Sequence, residues 1–125
     1  MAPVKLGGQN GSTGNSQGLQ RETAGNELHF VSFDGTGRVD FLINKFYFVI
    51  GKMASQVDGV ISYTPTISRA HCAIQLEGSE VYLEDLGSSN HTFVNDRELT
   101  PYERVRITPK DNIRLAKERF AILYR

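Results

Sequence analysis

The chain contains a single cysteine, Cys72, so it cannot form an intramolecular disulfide and gives no sign of an oxidising compartment. It has no excess of either charge, because 14 Lys and Arg residues balance 14 Asp and Glu residues. This balance disfavours general binding to nucleic acid or to an anionic membrane. No apolar run approaches the roughly 18 residues of a membrane span, and the N-terminus lacks the basic-then-apolar pattern of a signal peptide. These absences predict an intracellular, cytoplasmic protein.

Motifs for metals and nucleotides are also missing. The three histidines and the cysteine do not have the spacing of zinc ligands. Gly51 and Lys52 do not end a phosphate-binding P-loop, because Phe46 occupies the place of its first glycine. Gly35 and Gly37 lack the third glycine of a dinucleotide fingerprint. We expect no bound metal and no cofactor.

Catalytic residue types are present but not in catalytic patterns. Ser68, His71 and Asp85 are the residue types of a hydrolase triad, yet no serine lies in a nucleophile elbow. His71 and Cys72 would face opposite sides of a strand, which argues against a dyad. We predict no catalytic residue and no enzymatic activity.

The N-terminal residues 1–26 are rich in Gly, Ser, Gln, Asn and Thr and contain few large apolar side chains. Such a segment cannot bury enough surface to offset the entropy of ordering, so a disordered arm is predicted. An arm of this kind can tether a domain to a larger chain. The folded domain is predicted to span residues 27–125.

The rest of the chain reads as a series of short strands with alternating apolar side chains, separated by turn residues. The predicted strands span residues 28–33, 39–44, 46–50, 60–61, 72–77, 81–84, 92–94, 105–107, 113–115 and 120–124. No stretch has a helical period. About ten strands in roughly a hundred residues predict an all-β, two-sheet β-sandwich.

Three polar segments lie at the ends of predicted strands: residues 51–52, 66–71 and 87–95. Short hydroxyl and amide side chains on such turns present hydrogen-bond donors, and Lys52 adds a cation. Phosphate is the anion that suits this set best. Because functional loops of a sandwich gather at its ends, we expect the segments to form one pocket for a dianionic group.

In order along the chain, residues 51–52 (Gly-Lys), 68–71 (Ser-Arg-Ala-His) and 89–95 (Ser-Asn-His-Thr-Phe-Val-Asn) resemble the motifs of the forkhead-associated (FHA) domain. Those motifs are Gly-Arg, Ser-x-x-His and Asn-Gly-Thr-x-x-Asn, and the resemblance covers residues 28–125. It implies an eleven-stranded sandwich that recognises phosphothreonine in short peptides and is not catalytic. The implied partner is a protein or peptide phosphorylated on threonine by a Ser/Thr kinase, as in kinase signalling.

The resemblance also implies residue roles. Ser68 would donate its hydroxyl to the phosphate, Arg69 its backbone N–H and guanidinium, and Lys52 would supply charge. Ser89 would contact the phosphate or the threonine methyl group, and Asn90 would hold the peptide backbone. Residues implied to support the loops are Gly51, His71, Thr92 and Asn95. Candidates at the rim for selecting the flanking peptide sequence are Thr66, Ser88, His91 and Asp96.

Two positions depart from the family pattern. Lys52 stands where arginine is usual, and lysine cannot make the bidentate fork to phosphate. His91 stands where glycine is usual, so a left-handed backbone or a different turn is expected there. The alternative function is therefore a phosphorylation-independent FHA-like interaction or oligomerisation domain that has lost phosphate recognition.

Overall fold

A computed structural model describes residues 25–125. The predicted disordered arm lies outside the described residues, apart from its last two positions, and stays a prediction. Residues 25–125 contain no helix, hence none that is long and apolar enough to cross a bilayer. They form these strands: β1 (Leu28–Ser32), β2 (Asp40–Leu42), β3 (Tyr47–Gly51), β4 (Gly59–Val60), β5 (Cys72–Glu77), β6 (Glu80–Asp85), β7 (Thr92–Val94), β8 (Arg97–Glu98), β9 (Arg104–Ile107), β10 (Ile113–Leu115) and β11 (Glu118–Tyr124).

The strands are arranged in two sheets, which confirms the predicted all-β sandwich. The first sheet has five strands in the order β9-β6-β5-β3-β4, and the second has six in the order β2-β1-β11-β10-β7-β8. All pairings are antiparallel except that of β3 with β4, which is parallel. The chain changes sheet after β2, after β6, after β8 and after β9, so the loops there join the two layers.

The core consists of the inward side chains of both sheets. Phe30 and Phe120 are fully buried and stack with ring centroids 4.8 Å apart. Ile74 and Leu83 of the first sheet, which pair across β5 and β6, belong to the same buried cluster. Each fully buried side chain of this size contributes about 1.5–3 kcal/mol to folding. The apolar residues whose alternation predicted the strands are therefore the residues that form the core.

Strand β8 has no counterpart among the predicted strands. Both of its residues, Arg97 and Glu98, are exposed, so it has no apolar alternation to reveal it. A two-residue turn forms it instead: Asn95 and Asp96 have φ angles of +52° and +68°, and Val94 pairs with Arg97 across the turn. Two left-handed residues in succession give the turn that best matches the twist of a hairpin.

Strand register brings the polar segments to one end of the sandwich. Ile50 near the end of β3 pairs with Cys72 at the start of β5, and Cys72 pairs with Asp85 at the end of β6. In the second sheet, Thr92 at the start of β7 pairs with Leu115 at the end of β10. The loops of residues 52–58, 61–71, 86–91 and 116–117 therefore leave the sheets at this end.

The first and last described residues lie at the opposite end. Leu28 at the start of β1 pairs with Tyr124 at the end of β11, and beyond them Glu27 and Arg125 exchange two backbone hydrogen bonds of 3.1 and 2.9 Å. Since β11 begins at the loop end and runs seven residues, these chain ends are about 20 Å from the polar loops.

Candidate functional site

The loop of residues 66–70 lies directly against the end of β3. The backbone N–H of Lys52 donates to the Ser68 carbonyl at 2.9 Å, and that of Met53 donates to the Arg69 carbonyl at 3.1 Å. Gly51 permits this approach, because a Cβ atom there would lie 2.2 Å from the Arg69 carbonyl oxygen. The glycine thus fixes the distance between Lys52 and the loop that carries Ser68.

His71 holds two loops with its imidazole ring. Its Nδ1 accepts the backbone N–H of Ser68 at 3.0 Å, so the ring proton is on Nε2, which donates to the His91 carbonyl at 2.9 Å. The ring is fully buried, and burial lowers the pKa of His71 because the charged form is poorly solvated there. Neither ring nitrogen pairs with Asp85, so the nominal triad does not form.

Asp85 organises the loop that follows β6, a role that the sequence reasoning missed. Its buried carboxylate accepts the backbone N–H of Gly87 at 2.9 Å and that of Ser88 at 3.2 Å. It also accepts the hydroxyl of Ser88 at 2.5 Å and that of Thr92 at 2.7 Å. Ser88 is therefore turned inward and buried rather than placed at the rim, and Thr92 anchors the far end of the loop.

The loops on β5 and β6 are joined by side-chain contacts. The Ser68 hydroxyl accepts the backbone N–H of Ser89 at 3.0 Å, and the Asn90 amide donates to the Thr66 carbonyl at 2.9 Å. Each contact joins two residues that are more than 20 positions apart in the sequence. Ser68, Ser89, Asn90 and Thr66 consequently surround one space.

That space is an open cleft of about 330 Å³. All five residues predicted to contact a phosphopeptide line it, as does Thr66; the lining residues are Lys52, Pro65, Thr66, Ile67, Ser68, Arg69, Ala70, Gly87, Ser89 and Asn90. The lining has two cations and no carboxylate, and its polar side chains are hydroxyls and an amide. A cleft of this composition favours an anion that accepts several hydrogen bonds.

His91 and Asn95, which were also singled out, do not line the cleft. His91 has φ = +71°, the left-handed conformation expected where glycine is usual, and its Nδ1 lies 3.4 Å from the Glu98 carboxylate. Asn95 donates to Asp111 at 2.8 Å and accepts the backbone N–H of Asn112 at 2.9 Å. Asn95 therefore supports the turn between β9 and β10 instead of the cleft loops.

Comparison with known proteins identifies the fold family. A sequence profile of the FHA domain matches residues 48–116, which is more than half of the chain. The chain belongs to the FHA-domain family, whose members are phosphopeptide-binding interaction modules. This membership confirms the resemblance found in the three motifs.

The chain is also similar to individual proteins. It is 49% identical over 51 residues to protein FraH of Nostoc sp., an alignment that covers 41% of this chain and 18% of FraH, so the match spans less than a fifth of that relative. An FHA domain from a structural and functional analysis of phosphothreonine-dependent interactions superposes with a TM-score of 0.68 at 24% identity, covering 79% of this chain and 97% of that one. The FHA domain of the CT664 protein of Chlamydia trachomatis gives a TM-score of 0.69 at 20% identity, covering 79% and 98%. These two likenesses establish the fold.

Proposed function

We propose that this domain binds phosphothreonine in short peptides and thereby mediates protein–protein interactions that depend on a Ser/Thr kinase. The observation that carries the proposal is the convergence of Lys52, Ser68, Arg69, Ser89 and Asn90 on one carboxylate-free cleft. Family membership and the phosphothreonine-dependent binding of a structural relative support it. The domain acts as a binding module without a catalytic step.

The phosphate is seated between the end of β3 and the loop of residues 66–70. Because the Ser68 hydroxyl already accepts the Ser89 N–H, its own proton remains to donate to a phosphate oxygen. Lys52 and the Arg69 guanidinium supply charge, and both residues are exposed at the cleft. A phosphothreonine carries about −1.5 to −2 charges, so these bonds are charge-assisted and stronger than neutral ones.

Asn90 orients the peptide rather than the phosphate. One proton of its amide nitrogen is used by the Thr66 carbonyl, which fixes the plane of the amide. Its carbonyl oxygen is then placed to accept a backbone N–H of the peptide. The contact depends on the peptide backbone and not on its sequence, so it serves any phosphothreonine ligand.

Calorimetry with three peptides of one sequence, carrying threonine, phosphothreonine or phosphoserine, tests the proposal. We expect binding of the phosphothreonine peptide, none of the unmodified peptide, and weaker binding of phosphoserine, since a methyl group in a shaped pocket is worth about 1–3 kcal/mol. Asn90→Ala should abolish or strongly weaken binding, whereas Asn44→Ala, an exposed asparagine away from the cleft, should not. Equal binding of the modified and unmodified peptides would instead support the phosphorylation-independent alternative.

A further inference from the structure

A second depression of about 200 Å³ adjoins the first cleft. Its lining residues are Thr66, Asn90, Phe93, Arg114, Ala116 and Lys117. Thr66 and Asn90 line both spaces, so the two are separated only by the Thr66–Asn90 contact. A peptide lying across Asn90 would reach both.

Arg114 is held in position at the wall of this second depression. Its guanidinium carbon lies 3.8 Å above the ring centroid of Phe93, its cross-strand neighbour, and its Nη1 donates to the Ala116 carbonyl at 2.8 Å. Stacking and one hydrogen bond restrict the side chain while leaving most of the guanidinium N–H donors for a ligand. A preorganised arginine of this kind loses little entropy when it binds an anion.

The charge of the second depression is not compensated. Within residues 25–125 neither Arg114 nor Lys117 forms an ion pair, and no carboxylate lines the depression. By contrast, two arginines elsewhere among the described residues are paired with carboxylates: Arg97 with Glu103, and Arg104 with Glu77. Two cations without an ion-pair partner therefore lie where a peptide across Asn90 would pass.

The two depressions are connected rigidly. The His91 carbonyl accepts both the His71 Nε2–H, at 2.9 Å, and the backbone N–H of Ala116, at 3.0 Å. His71 in turn holds Ser68. The distance between the loop of residues 66–70 and the turn that carries Lys117 is thus fixed. An anionic group bound in the second depression must therefore belong to one defined position of the peptide.

We propose that this depression is a second anion subsite, in which Arg114 and Lys117 bind an anionic side chain of the same peptide. The inference rests on the proposed function, and it specifies the ligand as a phosphothreonine peptide with a second negative group at one flanking position. The bound group is an oxyanion in either case: the carboxylate of Asp or Glu, or the phosphate of a second phosphorylated residue.

The test scans a phosphothreonine peptide with otherwise neutral flanks, placing Glu or Gln at each flanking position in turn. In the wild-type domain we expect Glu to tighten binding about 5- to 10-fold over Gln at a single position, as a charge-assisted bond to arginine allows. Arg114→Gln should remove that gain and leave the affinity for the neutral-flank peptide unchanged. Arg106→Gln, an exposed arginine on the first sheet, should leave the gain intact.

A charge exchange makes the test specific. Arg114→Glu should lose the preference for Glu and gain one for Lys at the same peptide position. Phosphoserine placed there distinguishes the two sources: a gain well above that of Glu identifies a doubly phosphorylated ligand, and a similar gain identifies an acidic one.

Two results would overturn the inference while leaving the proposed function intact. One is tight binding of the neutral-flank peptide with no gain from Glu at any position. The other is an equal gain at every position, which would report only the general field of the domain. Failure of every phosphopeptide to bind the wild-type domain would instead remove the proposed function and this subsite together.

Discussion

The Ser68 hydroxyl accepts a hydrogen bond from the backbone N–H of Ser89, with 3.0 Å between Oγ and N. This contact joins the loop before β5 to the loop after β6, and it leaves the single hydroxyl proton of Ser68 free to donate. One small side chain thus acts as part of the scaffold and as a contact for the ligand.

Ser68→Ala should weaken phosphothreonine-peptide binding by about 1.5–3 kcal/mol, the usual worth of a hydrogen bond to a charged group. That corresponds to roughly 10- to 100-fold in Kd, measured by calorimetry. Ser62→Ala, an exposed serine outside the cleft lining, is the matched control and should bind like the wild type. An unchanged Kd for Ser68→Ala would place the phosphate elsewhere.

Lys52→Arg should strengthen binding of the same peptide by about 0.5–1 kcal/mol, because guanidinium can bind phosphate through two parallel hydrogen bonds. Lys52→Ala should weaken it and reduce its dependence on salt. Lys110→Arg, at the opposite end of the sandwich, should do neither. Titrations at two salt concentrations separate the outcomes, and the prediction fails if Lys52→Ala leaves both the affinity and its salt dependence unchanged.

Gly51→Ala should destabilise the domain by about 3 kcal/mol, because its Cβ would be forced to within 2.2 Å of the Arg69 carbonyl oxygen. Gly35→Ala is the comparison: it has φ = +79° but open space around it, so about 1 kcal/mol is expected. Urea unfolding of both variants measures the difference. Equal losses would show that the loop of residues 66–70 can move away from β3 at little cost.

His91→Gly should stabilise the domain by up to about 1 kcal/mol, because glycine adopts φ = +71° without strain. The variant also loses the contact between the His91 ring and the Glu98 carboxylate, but an exposed contact of this kind is worth less than about 1 kcal/mol. His91→Ala removes the same side chain and keeps the strained backbone, so the difference between the two variants measures the strain. A His91→Ala variant as stable as His91→Gly would show that the strain is negligible.

The domain should become less stable at mildly acidic pH, because His71 takes up a proton more readily in the unfolded chain than in the folded one. Burial holds the pKa of His71 below its ordinary value, so the unfolded chain binds the proton first. The free energy of unfolding is therefore unaffected well above about pH 6.5 and declines below it, until the folded ring also becomes protonated. Protonation would also remove the Nδ1 acceptor of Ser68.

The measurement is urea unfolding at pH 7.5 and pH 5.5 for the wild type and for His71→Gln. The variant should be less stable at pH 7.5, since the Ser68 N–H and the His91 carbonyl lose an ideal partner. Its stability should change less between the two pH values. Identical pH slopes for the two proteins would contradict this assignment.

Sequence alternation predicted the strands because the same side chains that alternate along the chain are buried in the core, as Cys72, Ile74 and Leu76 show. It could not reveal β8, whose two residues are both exposed. It also passed over Asp85, although Val81 and Leu83 before it point inward and the alternation places Asp85 with them. A carboxylate at an inward position, followed by the N–H groups of Gly87 and Ser88, was the available signal.

The sequence did not indicate Arg114 and Lys117 as binding residues, for a different reason. A single arginine on a strand and a lysine in a turn are ordinary surface charges in sequence, and only the strand order places them beside Asn90. The motifs identified the part of the site that is contiguous in sequence. The second anion subsite depends on pairing between β7 and β10, which no local pattern specifies.

The backbone pair between Glu27 and Arg125 has a practical consequence for how the domain can be carried or handled. Polypeptide joined before Glu27 or after Arg125 begins beside its counterpart, about 20 Å from the mouth of the cleft, by the length of a seven-residue strand. A fluorescent label, an affinity matrix or another domain attached at either point would therefore leave the approach of a peptide unobstructed.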